Sequence, residues 1–283
     1  TGFTGSNASL FVSASSSDAD IFSTDGRYVD QAAEQCPDLG VLVARKCSEA
    51  IVSQVLAQGG SNIALDSTVS VALRDVVVAS GLAVSLVSSP VALLREIKDS
   101  TEIAALERAN ALTSHAVDSL AEEIRVGDTE IYLARRLEQI FGELGAEDRA
   151  FPTIVASGPN SAKPHHEPSV TRLAAGDLLV IDSGARVEGY HADMTRTFVV
   201  GEPSPWQVEL HDLVARAARS GRAAVRSGVA LAELDFAARE LIVEAGFGEY
   251  FGQRALGSTQ GGIDHQCVFR HAGLVFEQHV VVK

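Results

Sequence analysis

Residues 1 to about 90 alternate between short strand-like runs and stretches with helical spacing. Apolar or alternating runs predict four β-strands, at 9–14, 19–23, 63–65 and 83–87. Between them, apolar residues three or four positions apart predict helices over 48–59 and around 71–77. Strands that alternate with helices usually form a parallel sheet. The pattern therefore predicts a small α/β domain with a mostly parallel sheet.

From residue 100 onwards the helical spacing is longer and more regular. Apolar residues at steps of three and four predict a helix from Ser100 to about Ile124, and a second helix that is capped by Thr129 and stops at Gly145. A short strand follows at 154–156. Farther along, the same spacing predicts two more helices, over 205–225 and 231–245. The order is a helix pair, a set of strands and a second helix pair.

A segment between the helix pairs brings two acidic residues next to predicted strands. The apolar runs 178–181 and 197–200 flank a polar connection that contains two glycines. Asp182 ends the first run and Asp193 stands just before the second, so paired strands would aim both carboxylates at the same place. Close carboxylates shift each other's pKa, and a buried pair tends to hold a proton, a cation or a metal. Two ordinary turn aspartates would show the same spacing.

Composition and charge narrow the class of protein. The chain has 283 residues, 46% of them hydrophobic, which is enough for one large domain or two. Its net charge of −14 argues against nucleic acid and against an anionic membrane as partners. No apolar run is long enough for a membrane span, and no signal peptide is visible. The three cysteines lack Cys-x-x-Cys spacing, which favours free thiols and a cytoplasmic location.

The acidic segment resembles a known family. The run Asp182–Phe198, with the form Asp-x-Gly-Ala-x4-Tyr-x2-Asp-Met-Thr-Arg-Thr-Phe, closely resembles the metal-binding segment of the pita-bread metallopeptidases, and among them the Xaa-Pro aminopeptidase and Xaa-Pro dipeptidase branch. Segments 1–7 and 24–28 resemble its N-terminal domain, 94–99 its domain junction, and 164–166 its substrate-pocket loop. The resemblance implies an α+β pita-bread catalytic domain over 96–283, preceded by a small α/β domain of creatinase type over 1–95.

The resemblance also implies a reaction and its residues. Members of the branch hydrolyse the peptide bond before a proline with two divalent metal ions, manganese or cobalt. Asp182 and Asp193 correspond to metal ligands, His165 to a histidine that contacts the substrate, and His265 to one that handles a proton. His166 is expected to be structural. The expected partners are a proline-containing peptide and a second copy of the chain, with neither nucleic acid nor membrane.

After Tyr250 the sequence departs from the family pattern. Gln253 stands where the family has a pocket histidine, and Ser258 where it has a metal-binding histidine. Two glutamate ligands expected farther on are not matched, so only two of the five expected metal ligands are present, Asp182 and Asp193. A serine hydroxyl is a poor ligand for first-row divalent metals, whereas imidazole is a good one.

These departures lead to alternative interpretations. In the first, the chain is an Xaa-Pro peptidase. In the second, it is a catalytically inactive, degenerate relative that serves as a peptide-binding or subunit-interaction module. A third is a metal-free, creatinase-like hydrolase on the same fold, with His165 or His265 as acid and base. Because the chain begins inside a family motif, the resemblance further implies a few dozen residues before Thr1, and thus an N-terminal domain that lacks its start.

Overall fold

The computed structural model describes residues 2–14, 16, 19–250 and 281–282. The chain divides into two compact units, Thr1–Ile97 and Lys98–Lys283. Among the described residues, no helix combines the length and the apolar character needed to cross a membrane.

The N-terminal unit alternates strands and helices. In chain order its elements are β1 (Ala8–Phe11), β2 (Ile21–Thr24), α1 (Val29–Gln35), β3 (Val41–Val43), α2 (Cys47–Ala57), β4 (Asn62–Asp66), α3 (Val71–Ala79), β5 (Ala83–Val87) and α4 (Pro90–Glu96). The apolar face of α2 packs in a core whose members include Ile51, Val55, Leu65 and Val77. Burial on one side of each helix thus explains the helical spacing of Ile51 and Val55 in α2 and the apolar character of Val77 in α3.

The strands of this unit form two sheets in the described residues, where the sequence predicted one mostly parallel sheet. β1 pairs antiparallel with β2, β2 pairs parallel with β3, and β4 pairs parallel with β5. The strand β3 was not predicted, and its three residues offer few backbone groups for a second partner. The helices α1 and α4, each of seven residues, were also not predicted, because such short segments show little periodicity.

The larger unit contains both long helix pairs. Its elements are α5 (Ser100–Glu123), α6 (Glu130–Glu143), β6 (Asp148–Arg149), β7 (Ile154–Ser157), a 3-10 helix (Gly158–Ala162), β8 (Leu178–Ser183), β9 (Ala185–Val187), β10 (Tyr190–His191), β11 (Met194–Val200), α7 (Pro205–Ala224), α8 (Leu231–Glu244) and β12 (Val281–Val282). The four helices predicted from residue 100 onwards are confirmed. Asp99 caps α5 by accepting hydrogen bonds from the backbone N–H groups of Thr101 and Glu102.

One four-stranded sheet forms the base of the candidate site, with the strand order β12-β11-β8-β7. Its neighbours β7–β8 and β8–β11 are antiparallel, and β12 is parallel to β11. One face of the sheet packs against α5 and α6, where Leu179, Ile181 and Phe198 join Leu120 and Phe141 in a buried core. The polar connection between β8 and β11 contains two further strands, β9 and β10, which pair with each other, and β9 also pairs with β6. The sequence analysis did not predict them.

Candidate functional site

Asp182 belongs to the face of the sheet that points away from the core, and Asp193 immediately precedes the neighbouring strand β11. Along β8, burial alternates: Ile181 and Ser183 are buried and Asp182 between them is half-buried. Thr195 of β11 lies directly opposite Asp182. Asp193 is exposed and immediately precedes β11, two residues before Thr195. The antiparallel pairing of β8 with β11 therefore brings the chain at Asp193 to the end of β8 that contains Asp182. The predicted pairing of the two strands is confirmed.

A threonine fixes the orientation of one carboxylate. The hydroxyl of Thr195 donates a hydrogen bond of 2.9 Å to Oδ1 of Asp182. Because the two residues face each other across the β8–β11 ladder, the bond joins neighbouring strands at the site. A hydrogen bond to a carboxylate restricts its rotamers. Thr195 therefore limits the orientations that the Asp182 carboxylate can take.

Gly184 allows a close approach of two chain segments, the one that follows Asp182 and the one that precedes Asp193. A Cβ atom at this position would lie 1.8 Å from the backbone oxygen of Ala192. Two backbone hydrogen bonds hold the crossing: Ala192 N–H donates to the oxygen of Ala185 at 3.0 Å, and Ala150 N–H donates to the oxygen of Gly184 at 2.7 Å. The separation of Asp182 from Asp193 thus depends on the missing side chain at residue 184.

The loop that contains the predicted substrate histidine is anchored by a buried glutamate. His165 is exposed, whereas His166 is half-buried and its Nε2 lies 2.8 Å from Oε2 of Glu130. Glu130 is the first residue of α6 and is 0% exposed. It also accepts hydrogen bonds from the backbone N–H of Ser157, the amide of Asn160, and both the N–H and the hydroxyl of Ser169. The expected structural role of His166 agrees with this contact.

The charge on Glu130 is maintained by its partners. Burial alone would raise the pKa of this carboxyl group, but the hydrogen bonds from His166, Ser157, Ser169 and Asn160 outweigh burial and lower the pKa from 4.5 to about 2. A negative charge at the first turn of a helix also interacts favourably with the helix dipole. Glu130 was missed in the sequence, where an acidic residue after the cap Thr129 has the appearance of an exposed first-turn residue. Nothing in the local sequence indicates its burial.

The donor set of the described residues accounts for part of a metal site. Carboxylate oxygens suit hard divalent cations, so Asp182 and Asp193 fit the implied metal by ligand type. Within residues 2–14, 16, 19–250 and 281–282, no cluster of three or more His, Cys, Asp or Glu side chains could hold a metal ion. The remaining ligands of a dinuclear centre would have to come from elsewhere. His265, Gln253 and Ser258 lie outside the described residues.

Comparisons with known proteins agree with the resemblance. The model of metallopeptidase family M24 matches residues 104–268. The Xaa-Pro dipeptidase of Pyrococcus horikoshii is 42% identical over 158 residues, which are 56% of this chain and 45% of the relative. The probable dipeptidase PepE of Mycobacterium tuberculosis is 36% identical over 208 residues, 72% of this chain and 55% of the relative. The chain thus spans about half the length of the curated relatives it matches.

Solved structures show the same likeness. The Xaa-Pro dipeptidase from Bacillus anthracis matches with a TM-score of 0.83 and 31% identity, covering 89% of this chain and 71% of that one. The prolidase from Pyrococcus furiosus matches with a TM-score of 0.76 and 32% identity, covering 84% and 70%. These neighbours confirm the pita-bread fold, while the creatinase-type assignment of the N-terminal domain stays a prediction. Relatives named as peptidases do not favour the inactive alternative.

Proposed function

The chain belongs to metallopeptidase family M24, and on this basis we propose that it acts as an Xaa-Pro peptidase, which hydrolyses the peptide bond preceding a proline. One observation is the main support: Asp182 lies on β8, Asp193 immediately precedes β11, and these two strands pair inside the segment that the family model matches. Relatives named Xaa-Pro dipeptidase support the substrate class. A homodimer in the cytoplasm, with a creatinase-type N-terminal domain, is part of the same proposal.

Each side chain has a role in this proposal. Asp182 and Asp193 would provide carboxylates to two divalent ions, manganese or cobalt, and Thr195 would hold Asp182 in its binding orientation. When bound, such ions polarise a carbonyl group and activate a water molecule. His165, exposed on its loop, would donate a hydrogen bond to the substrate carbonyl oxygen as negative charge develops there. His265 would transfer a proton to the leaving nitrogen.

The proposal is tested by metal content and by proline-dependent hydrolysis. The purified protein is loaded with Mn²⁺, freed of excess metal, and assayed with Ala-Pro and with Ala-Ala. We expect retained manganese and release of free proline, with little cleavage of Ala-Ala. A metal content equal to that of a protein-free blank, together with no cleavage of Ala-Pro, would reject the peptidase and favour a non-catalytic binding role.

Removing one carboxylate charge is expected to weaken manganese binding. Asp193→Asn should lower the affinity at least about 10–100-fold, the loss typical even for a residue that only supports a ligand. The matched control is Asp118→Asn, because Asp118 is an exposed aspartate on α5, outside the segment 182–198. Titration with Mn²⁺ by calorimetry measures both. Equal affinities for the two variants would contradict the assignment of Asp193.

The threonine opposite Asp182 provides a subtler test. Thr195→Val keeps the shape of the side chain and removes the hydroxyl that donates to Asp182. We expect a loss of about tenfold in manganese affinity, since groups that orient metal ligands contribute at this level. Thr195→Ser, which retains the hydroxyl, should recover most of the affinity. If Ser and Val variants bind equally, the hydrogen bond does not orient the ligand.

A further inference from the structure

The N-terminal unit contains a polar cleft that the peptidase proposal does not use. Its volume is about 590 Å³, and it is lined by Asn7, Asp25, Gly26, Arg27 and Arg45. Two sequence segments that resemble the family's N-terminal domain, 1–7 and 24–28, meet here. Small-molecule sites in proteins typically have volumes of about 300–1,000 Å³. The cleft therefore has the size of a ligand site.

A buried aspartate organises the cleft. Asp25 accepts hydrogen bonds from Nε and Nη2 of Arg27, at 3.0 and 2.8 Å, and from Nδ2 of Asn7 at 2.7 Å. The backbone N–H of Arg27 donates to the same carboxylate at 3.0 Å. These bonds hold the pKa of Asp25 well below its ordinary value, with the Arg27 side chain as the largest cause. Arg27 and Asn7 are thus held in fixed positions around a permanent anion.

The charges of the cleft do not cancel. Asp25 is paired with Arg27, which leaves the charge of Arg45. The backbone oxygen of Arg45 accepts a hydrogen bond from Asn7, whereas its exposed guanidinium forms no ion pair with any residue that the structure describes. The lining residues therefore carry one net positive charge in a chain of net charge −14. Because Asp25 is saturated by its own donors, the cleft selects against cations and favours anions.

We propose that this cleft binds the carboxylate group of a peptide or of an acylated amino acid. Arg45 would supply the attracting charge. Arg27 already donates Nε–H and one Nη2–H to Asp25, and its remaining N–H groups would donate hydrogen bonds to the ligand. A guanidinium matches the planar geometry of a carboxylate. One net positive charge balances a monoanionic carboxylate, whereas a phosphate monoester carries about −1.5 to −2 at pH 7 and would be left partly uncompensated.

The test is a titration of the full chain with N-acetylglycine, followed by NMR or calorimetry. We expect saturable binding of N-acetylglycine and none of N-acetylglycinamide, which lacks the charge. Arg45→Gln should weaken binding about tenfold, as expected for the loss of one charge-assisted contact. The control Arg74→Gln removes another exposed arginine of the same unit, on α3, and should change nothing. The proposal would be overturned if Arg45→Gln and Arg74→Gln bound N-acetylglycine equally well. It would also be overturned if the protein bound N-acetylglycine and N-acetylglycinamide equally well.

A second variant guards against a trivial loss of folding. Arg27→Lys keeps a cation beside the buried Asp25 but removes the planar guanidinium, so the thermal midpoint should change little while binding of N-acetylglycine falls. Inorganic phosphate is titrated in parallel, and tighter binding of phosphate than of N-acetylglycine would overturn the carboxylate assignment. The titrations use neither metal nor hydrolysis, so their outcome is separate from that of the peptidase proposal.

Discussion

Replacing Gly184 with alanine is expected to lower the free energy of unfolding by about 3 kcal/mol, the upper part of the range for a side chain forced into a filled space. The added methyl group would meet the backbone oxygen of Ala192 at 1.8 Å, and neither segment can simply rotate away. Both are held by backbone hydrogen bonds, through Ala185 and Ala150. The chain must therefore separate at the point where Asp182 and Asp193 are brought together, and manganese affinity should fall with stability.

A helical glycine provides the matched control. Gly142 lies in α6, is exposed, and has open space where a Cβ would be. Gly142→Ala should therefore raise the free energy of unfolding by about 0.5–1 kcal/mol, because alanine favours the helix. Urea denaturation of both variants measures the contrast. If alanine had the same effect on the free energy of unfolding at both positions, a clash with the Ala192 backbone oxygen would not be the reason for glycine at residue 184.

The strands and helices that position the acidic pair could be predicted from the sequence, for a physical reason. Burial of one face imposes a period of about 3.6 residues on α5 and α6, and β8 is recognisable as the continuous apolar run 178–181. Asp182 ends that run at a fixed position. Its pairing with the strand that follows Asp193 then follows from the short connection between them. Patterns of this kind are local, and a single sequence displays them.

Other features could not be predicted because they depend on contacts between distant residues. Gly184 was visible only as a turn glycine, since its constraint is a backbone atom eight residues away. Glu130 is charged and follows a cap, yet its partners are up to 39 residues farther along the chain. The cleft in the N-terminal unit depends on Asn7, Asp25 and Arg45, which meet only after folding. In each case the geometry depends on polar side chains or on a glycine. The spacing of hydrophobic residues along the sequence gives no information about these positions.

Acidification is expected to remove the stability that Glu130 provides. A carboxyl group whose pKa is lowered by folding contributes stability at pH values above its ordinary pKa and loses it as the pH falls towards the folded value. For Glu130 that window runs from 4.5 down to about 2. A shift of this size corresponds to about 3 kcal/mol. Urea denaturation at a series of pH values, from neutral down to about 2, should therefore show that the free energy of unfolding falls by about this amount. This loss comes in addition to the loss caused by other carboxylates.

The Glu130→Gln variant isolates this contribution. Glutamine keeps the size but removes the charge. Its amide nitrogen replaces one of the two oxygens, so it cannot accept either from Ser157 and Asn160, which donate to Oε1, or from His166 and Ser169, which donate to Oε2. We expect the free energy of unfolding at neutral pH to fall by about 3 kcal/mol or more, because buried donors lose their charged acceptor. The free energy of unfolding should also depend less on pH under acidic conditions. Glu107→Gln, on an exposed position of α5, should leave both unchanged. Identical profiles for the parent and Glu130→Gln would contradict the role of this carboxylate. A flatter profile would mean that one buried anion holds the loop of His165 against the start of α6, and so links the acid stability of the fold to the geometry of the candidate site.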